Sequence, residues 1–158
     1  MDALDTASVV AFFSLLIAAA ALAFSIRTHW DGIKRNRRDL FLSLHERLSH
    51  PDQVRGRTLL REEISSAAEA EKIRKKRRAD YELAMSAINM LDILGLYVDK
   101  KYVDKELVFD EWGWLYGRCF DHGKYVLKDV QWYDEEREIR APWRHFAELG
   151  KEASRRYP

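Results

Sequence analysis

Cys119 and His122 lie three residues apart, which on a helix sets them on adjoining faces. A thiol beside an imidazole is the raw material of a cysteine nucleophile. No third group that would orient the histidine is evident, so the pair does not announce catalysis. Glu106 and Asp110, four apart, could act as paired carboxylates, but their helical phase turns them toward water. His29, His45, His50, His122 and His145 form no metal-ligand spacing, and there is no Glu-x-x-His pair. Phosphate-binding glycine loops, nucleophile elbows and zinc signatures are absent. The chain is not expected to be an enzyme, and neither a metal nor a cofactor is expected.

Two other groups of residues remain. The run "KIRKKRR" holds six basic residues in seven: Lys72, Arg74, Lys75, Lys76, Arg77 and Arg78. It suits an anionic ligand or lipid, or a solvated helix end with Glu71–Lys75, Lys76–Asp80 and Arg78–Glu82 paired at i,i+4. Two turns of helix carry this charge on every side, so the run is expected to project from the body. A nuclear-import reading fits this composition but conflicts with an apolar anchor, and nucleic acid is not expected as a partner. An acid-rich stretch with Asp129, Asp134, Glu135, Glu136 and Glu138 could neutralise the run within one chain or between neighbours. Asp92 sits in an apolar helix, where a carboxylate needs a partner. An Arg or Trp of a neighbouring helix is the expected one.

The elements that carry these residues start with "TASVVAFFSLLIAAAALAFSIR". No residue between Asp5 and Arg27 is charged. Residues 6–26 would form a helix roughly 30 Å long, the thickness of a bilayer's hydrocarbon core. A cleaved signal peptide would want a basic head, and "MDALD" is acidic. A buried core helix is the remaining rival. Arg27, Lys34, Arg35, Arg37 and Arg38 follow the stretch and are expected to stay cytoplasmic beside the lipid headgroups, with the N-terminus outside. This reads as a single pass through a bacterial inner membrane. The lone Cys119 agrees with a reducing compartment for the body. Within the stretch, Ala7, Ala11, Ser14, Ala18, Ala21 and Ser25 recur every four and three residues. Such a seam of small residues lets membrane helices approach, so a homo-oligomer is expected.

With 158 residues, 34% charged, 7 Gly and 3 Pro, the chain has few turn formers. Helical spacing dominates throughout, so the fold class is all-α: a transmembrane helix, then a cytoplasmic helical bundle. The divisions expected are 1–26 for tail and membrane helix, 27–50 for a basic amphipathic helix, and 51–158 for the helical domain. Pro51 should open a short helix. Ser65 or Ser66 should cap one long helix running to Gly95 or Val98. Asp104 should cap the next, with Leu107, Val108, Trp112, Leu115, Tyr116, Cys119 and Phe120 inward and Gly123 as its end. A last helix should follow Pro142.

The stretch from Ala87 to Asp121, "AINMLDILGLYVDKKYVDKELVFDEWGWLYGRCFD", resembles a bacterial family of unknown function. The likeness is carried by Asp92 inside an apolar helix, the turn Leu94 to Leu96, the basic pair Lys100 and Lys101, and Val103, Asp104 and Glu106 to Val108. "APWRHFAEL" resembles the family's closing segment. The resemblance implies one N-terminal membrane helix, a basic juxtamembrane turn and a small helical domain; it implies no activity.

Two functions are compatible with these residues. One is a non-enzymatic scaffold that holds a protein partner at the membrane. The other is a membrane-permeabilising effector, for example in phage defence, gated by an anionic nucleotide-type signal on Arg74 to Arg78. The second expects Ala18→Leu to abolish activity while insertion persists.

Overall fold

A computed structural model describes residues 3–135 and 143–158, and the side chains of 8–127 and 143–158. The described residues form six helices and no strand, so the fold is all-α. They are α1 (Ala3–Ser49), α2 (Pro51–Glu63), α3 (Ala67–Lys76), α4 (Arg78–Asp99), α5 (Lys105–Glu135) and α6 (Arg144–Arg156). The chain divides into two compact units, Met1–Asp39 and Leu40–Pro158, and α1 contributes residues to both.

The described residues of the first unit are helix alone. Every described side chain from Ser8 to Asp31 is exposed, including Val10, Leu15, Ile17 and Phe24. Thr28 closes its hydroxyl onto the Phe24 carbonyl at 2.9 Å, which satisfies the group without a partner helix. This helix is long and apolar enough to cross a membrane.

The second unit is built around Leu60, Ile64, Ile88, Leu91, Leu94, Val108, Tyr116 and Phe146, all essentially without exposed surface. Its starts follow local chemistry. Pro51 occupies the first turn of α2, where its missing N–H costs nothing, and the Asp52 N–H donates to His50 Nδ1 at 3.4 Å. Ser66 accepts from the Glu69 N–H at 3.3 Å, and the Glu69 carboxylate accepts from the Ser65 N–H at 2.9 Å. The two bonds form a variant of the capping box. Asp104 accepts from the Leu107 N–H at 3.1 Å and starts α5.

Four expectations are corrected. The long helix from Ser66 is two helices, broken at Arg77, whose backbone leaves helical geometry at φ −136° and ψ 59°. The Arg77 N–H closes α3 on the Ile73 carbonyl, and the Tyr81 N–H opens α4 on the Arg77 carbonyl. The change of direction puts both Ile73 and Tyr81 in the core at 6% exposure each. The basic run therefore does pack on the apolar interior through one residue, because burying Ile73 outweighs the cost of bringing its charged neighbours close. Finally, α5 does not end at Gly123. It continues to Glu135, and Gly123 serves close approach: an added Cβ would sit 3.2 Å from the Phe146 ring. Within the expected stripe of α5, Leu107 faces outward instead. Pro142 lies outside the described residues.

Helices approach most closely where side chains vanish. A Cβ on Gly56 of α2 would meet the Leu83 carbonyl oxygen of α4 at 2.3 Å. Only a glycine lets the two backbones pack at this distance.

Candidate functional site

The first candidate surface is α1 itself. Ala11, Ser14, Ala18, Ala21 and Ser25 share one face and are all exposed; the side chain of Ala7 lies outside the described residues. Arg27, Lys34, Arg35, Arg37 and Arg38 are exposed as well. Of these, Arg38 lies 3.8 Å from Asp39, both largely in solvent, a geometry that contributes little. These cations are thus open to solvent.

The second candidate, the basic run, is rearranged by the break at Arg77. Its guanidinium bonds to Asp80 Oδ2 at 2.7 Å through Nε and to the Glu63 carboxylate through Nη1. Asp80 also accepts from Arg55 Nη2 at 2.8 Å. These bonds, from Arg77 first and then Arg55, hold the Asp80 carboxyl below its usual range, against the opposing effect of its burial. Of the three expected i,i+4 pairs, Glu71–Lys75 forms at 2.7 Å and Arg78–Glu82 at 2.8 Å. Lys76–Asp80 does not, because Asp80 turns to Arg55 and Arg77. Lys72, Lys76 and Arg77 come together around a cleft of about 300 Å³, facing Glu62, Glu63 and Glu69. Three cations against three carboxylates make a self-neutralised joint rather than a concentrated positive site. The acidic side chains at 129, 134, 135, 136 and 138 lie outside the described residues.

Asp92 finds a partner of a different kind from the expected Arg or Trp. Its Oδ1 accepts from the Phe146 backbone N–H at 2.8 Å. α6 begins after Trp143, which adopts a left-handed φ of 56° and offers no capping side chain. A carboxylate from α4 therefore satisfies an otherwise orphan donor in the first turn of α6, and its charge suits the helix dipole there. The Trp143 indole N–H adds a bond to Asn89 Oδ1.

Cys119 is fully buried and burial pushes its thiol up to about 12, so it presents no thiolate near neutral pH. His122 turns its Nδ1 to the Ile64 carbonyl at 3.0 Å. The two residues hold the core of α2 and α5 together and are not arranged as nucleophile and base. Glu106 and Asp110 are exposed, and Glu106 takes the Arg156 guanidinium at 2.8 Å. Among the described residues, no three His, Cys, Asp or Glu side chains gather as metal ligands.

Arg57 carries a role that the sequence analysis does not assign. It is 8% exposed and donates Nη1 to the Leu48 carbonyl at 2.7 Å. It thereby ties the last turn of α1 to α2, and burial lowers its pKa from the usual value. The available signal is its place three residues before Leu60 on the inward face of α2.

No family model matches the chain, and no curated protein or solved structure matches it either.

Proposed function

We propose that the chain is a membrane-anchored helical module without catalytic activity of its own. α1 inserts through residues 6–26 of a bacterial inner membrane, and the bundle 40–158 holds a partner on the cytoplasmic side. One observation carries this reading: an uncharged stretch of membrane-spanning length exposes Val10, Phe12, Phe13, Leu15 and Ile17 around its whole circumference. In water that surface would aggregate; in lipid it costs nothing. The cations from Arg27 to Arg38 add contact with anionic headgroups, worth about 1 kcal/mol each. The small-residue face supports self-association of α1.

The test is alkaline carbonate extraction of the full-length chain from bacterial membranes, with protease added to intact spheroplasts. The chain should stay in the membrane pellet, and its C-terminal tag should resist the protease. Ile17→Arg, which costs about 3 kcal/mol of insertion at mid-helix, should move protein into the soluble fraction. Complete release of the unaltered chain by carbonate would sink the reading.

The nucleotide-gated effector is the second reading. What favours it is the same open Ala/Ser face, which repacking helices would need. The pairing of Lys75, Arg77 and Arg78 with carboxylates argues against that run as its sensor.

A further inference from the structure

Arg57 and Arg61 stand one turn apart on α2, on the side that meets α5 near Cys119. Arg57 is 8% exposed and Arg61 is half-buried, so both charges are partly withdrawn from water. Arg57 gives Nη1 to the Leu48 carbonyl. Arg61 lies over the Trp114 indole, its Cζ 5.8 Å from the ring centroid. Its Nε is buried without a hydrogen-bond partner, so no neighbouring group shares the charge on that edge. Arg118, exposed one turn beyond Trp114 on α5, adds a third cation.

No carboxylate balances this group. Among the described residues Arg57, Arg61 and Arg118 have no ion pair, whereas Arg55 and Arg77 meet Asp80, Arg78 meets Glu82 and Arg156 meets Glu106. Acids close by in sequence are turned elsewhere. Glu62 and Glu63 line the cleft beside Lys72 and Arg77, and Glu111 lies 3.8 Å from His45. Cys119 brings no negative charge near neutral pH, because burial pushes its thiol up to about 12. What remains is the C-terminal end of α1, reached through the Leu48 carbonyl and equivalent to roughly half a negative charge. Two adjacent guanidiniums exceed it by more than one charge, at a place where burial has raised the cost of leaving charge unmatched.

We infer that the seam of α2 and α5 at Arg57, Arg61 and Trp114 binds a phosphate oxyanion. Guanidinium forks match the geometry of such an oxyanion, and an indole beneath one of them holds it in place. A phosphate monoester, with about two negative charges at neutral pH, fits the surplus better than a carboxylate, which carries one. Trp114 is 52% exposed, so the outer side of the seam is open to solvent. Dissolved phosphate and a lipid phosphomonoester headgroup present the same chemistry here. The inference goes beyond the anchor and does not depend on it, since binding is read on the bundle whether or not α1 crosses a membrane.

The experiment is thermal melting of the full-length chain in neutral detergent, with inorganic phosphate at millimolar concentration or with phosphatidic acid in the micelles. Sodium chloride of equal ionic strength and phosphatidylcholine are the respective controls. At least one probe should raise the melting temperature saturably and above its control. A response to phosphatidic acid alone identifies a lipid headgroup, and a response to inorganic phosphate identifies a dissolved ligand; either sustains the site. Arg61→Gln should leave the circular dichroism unchanged and weaken binding by about tenfold, the loss of one charged contact. Arg61→Lys keeps the charge without the fork and should weaken it less, which preserves the test if Arg61→Gln disturbs the bundle. Arg47→Gln, at another arginine without an ion pair among the described residues, should not weaken it. Three outcomes each overturn the assignment: no rise with either probe, a rise that the controls match, or equal weakening by Arg61→Gln and Arg47→Gln. The last would mean diffuse attraction by the exposed cations of the chain.

Discussion

Residues 8–26 and the described residues of 40–158 are both largely helical and both rich in Leu, Ile, Phe and Ala, yet they place these side chains oppositely. Phe12 and Phe13 leave more than half of their surface open, while Phe146 leaves none. The two regions also treat charge oppositely. The first excludes it completely, and the second binds it in pairs such as Arg77 with Glu63 and Asp80. The contrast teaches that apolar content does not define a core. A segment whose apolar residues cover every face has no side left for water. A segment whose apolar residues follow one stripe needs a neighbour to complete it.

The contrast gives its largest measurable effect at phenylalanine. Phe146 packs against Tyr116 and Phe120 with ring centroids 5.6 and 5.9 Å away. Phe146→Ala should therefore destabilise the full-length chain by about 3–5 kcal/mol, through lost burial and the cavity left behind. Phe13→Ala should leave unfolding of the bundle in detergent unchanged, because Phe13 belongs to the first unit and leaves 58% of its surface exposed. Urea titration followed by tryptophan fluorescence separates them. Equal effects of the two substitutions would erase the distinction.

A smaller effect should appear where backbones touch. The Leu83 carbonyl oxygen stands 2.3 Å from where Gly56 would carry a Cβ, and an oxygen of the main chain cannot swing aside. Gly56→Ala should force α2 away from α4 at a cost of about 1–3 kcal/mol, despite the better helix propensity of alanine. Gly32, in the first unit, has nothing within 4 Å of such a Cβ. Gly32→Ala should be neutral or slightly stabilising in the same melts. A stabilising Gly56→Ala would mean that the bundle is looser than its backbone contacts require.

The legible part of this molecule was what local sequence decides. Helix content, the apolar span, Pro51, the Ser66 cap and Asp104 all follow from residues within a turn of one another. Asp92 shows where that stops. Its burial in an apolar stripe announced a partner, but the partner is a backbone N–H 54 positions on, at a helix start that no capping residue marks. Arg77 is similar. Nothing within "KIRKKRR" distinguishes it from its neighbours. Only the third dimension brings Glu63 and Asp80 to either side of it, and only then does the run split. Of the candidate surfaces, the apolar stretch could be read directly. The Gln53–Ser86 bond between α2 and α4 could not, since it joins residues more than thirty positions apart.

Charge gives the smallest effect, and it sharpens the contrast through pH. Asp80 is mostly buried, with its side chain 12% exposed between Arg55 and Arg77. Their bonds, Arg77's first, depress its carboxyl below the ordinary value. A carboxyl depressed in the folded state contributes stability that is fully present above its unfolded pKa, about 3.9. That contribution is lost as pH falls through the folded value. Asp80→Asn removes the titration while keeping the shape and one acceptor. At pH 7 the variant should be less stable than the unaltered chain. Below about pH 4 the gap should close, because the unaltered chain loses what the variant never had. The measurement is the difference between the two unfolding free energies from pH 7 down to pH 2, each read in urea. A gap that stays constant over that range would show that the Asp80 carboxylate carries no pH-linked stability. The arginines around it would then be held by packing alone.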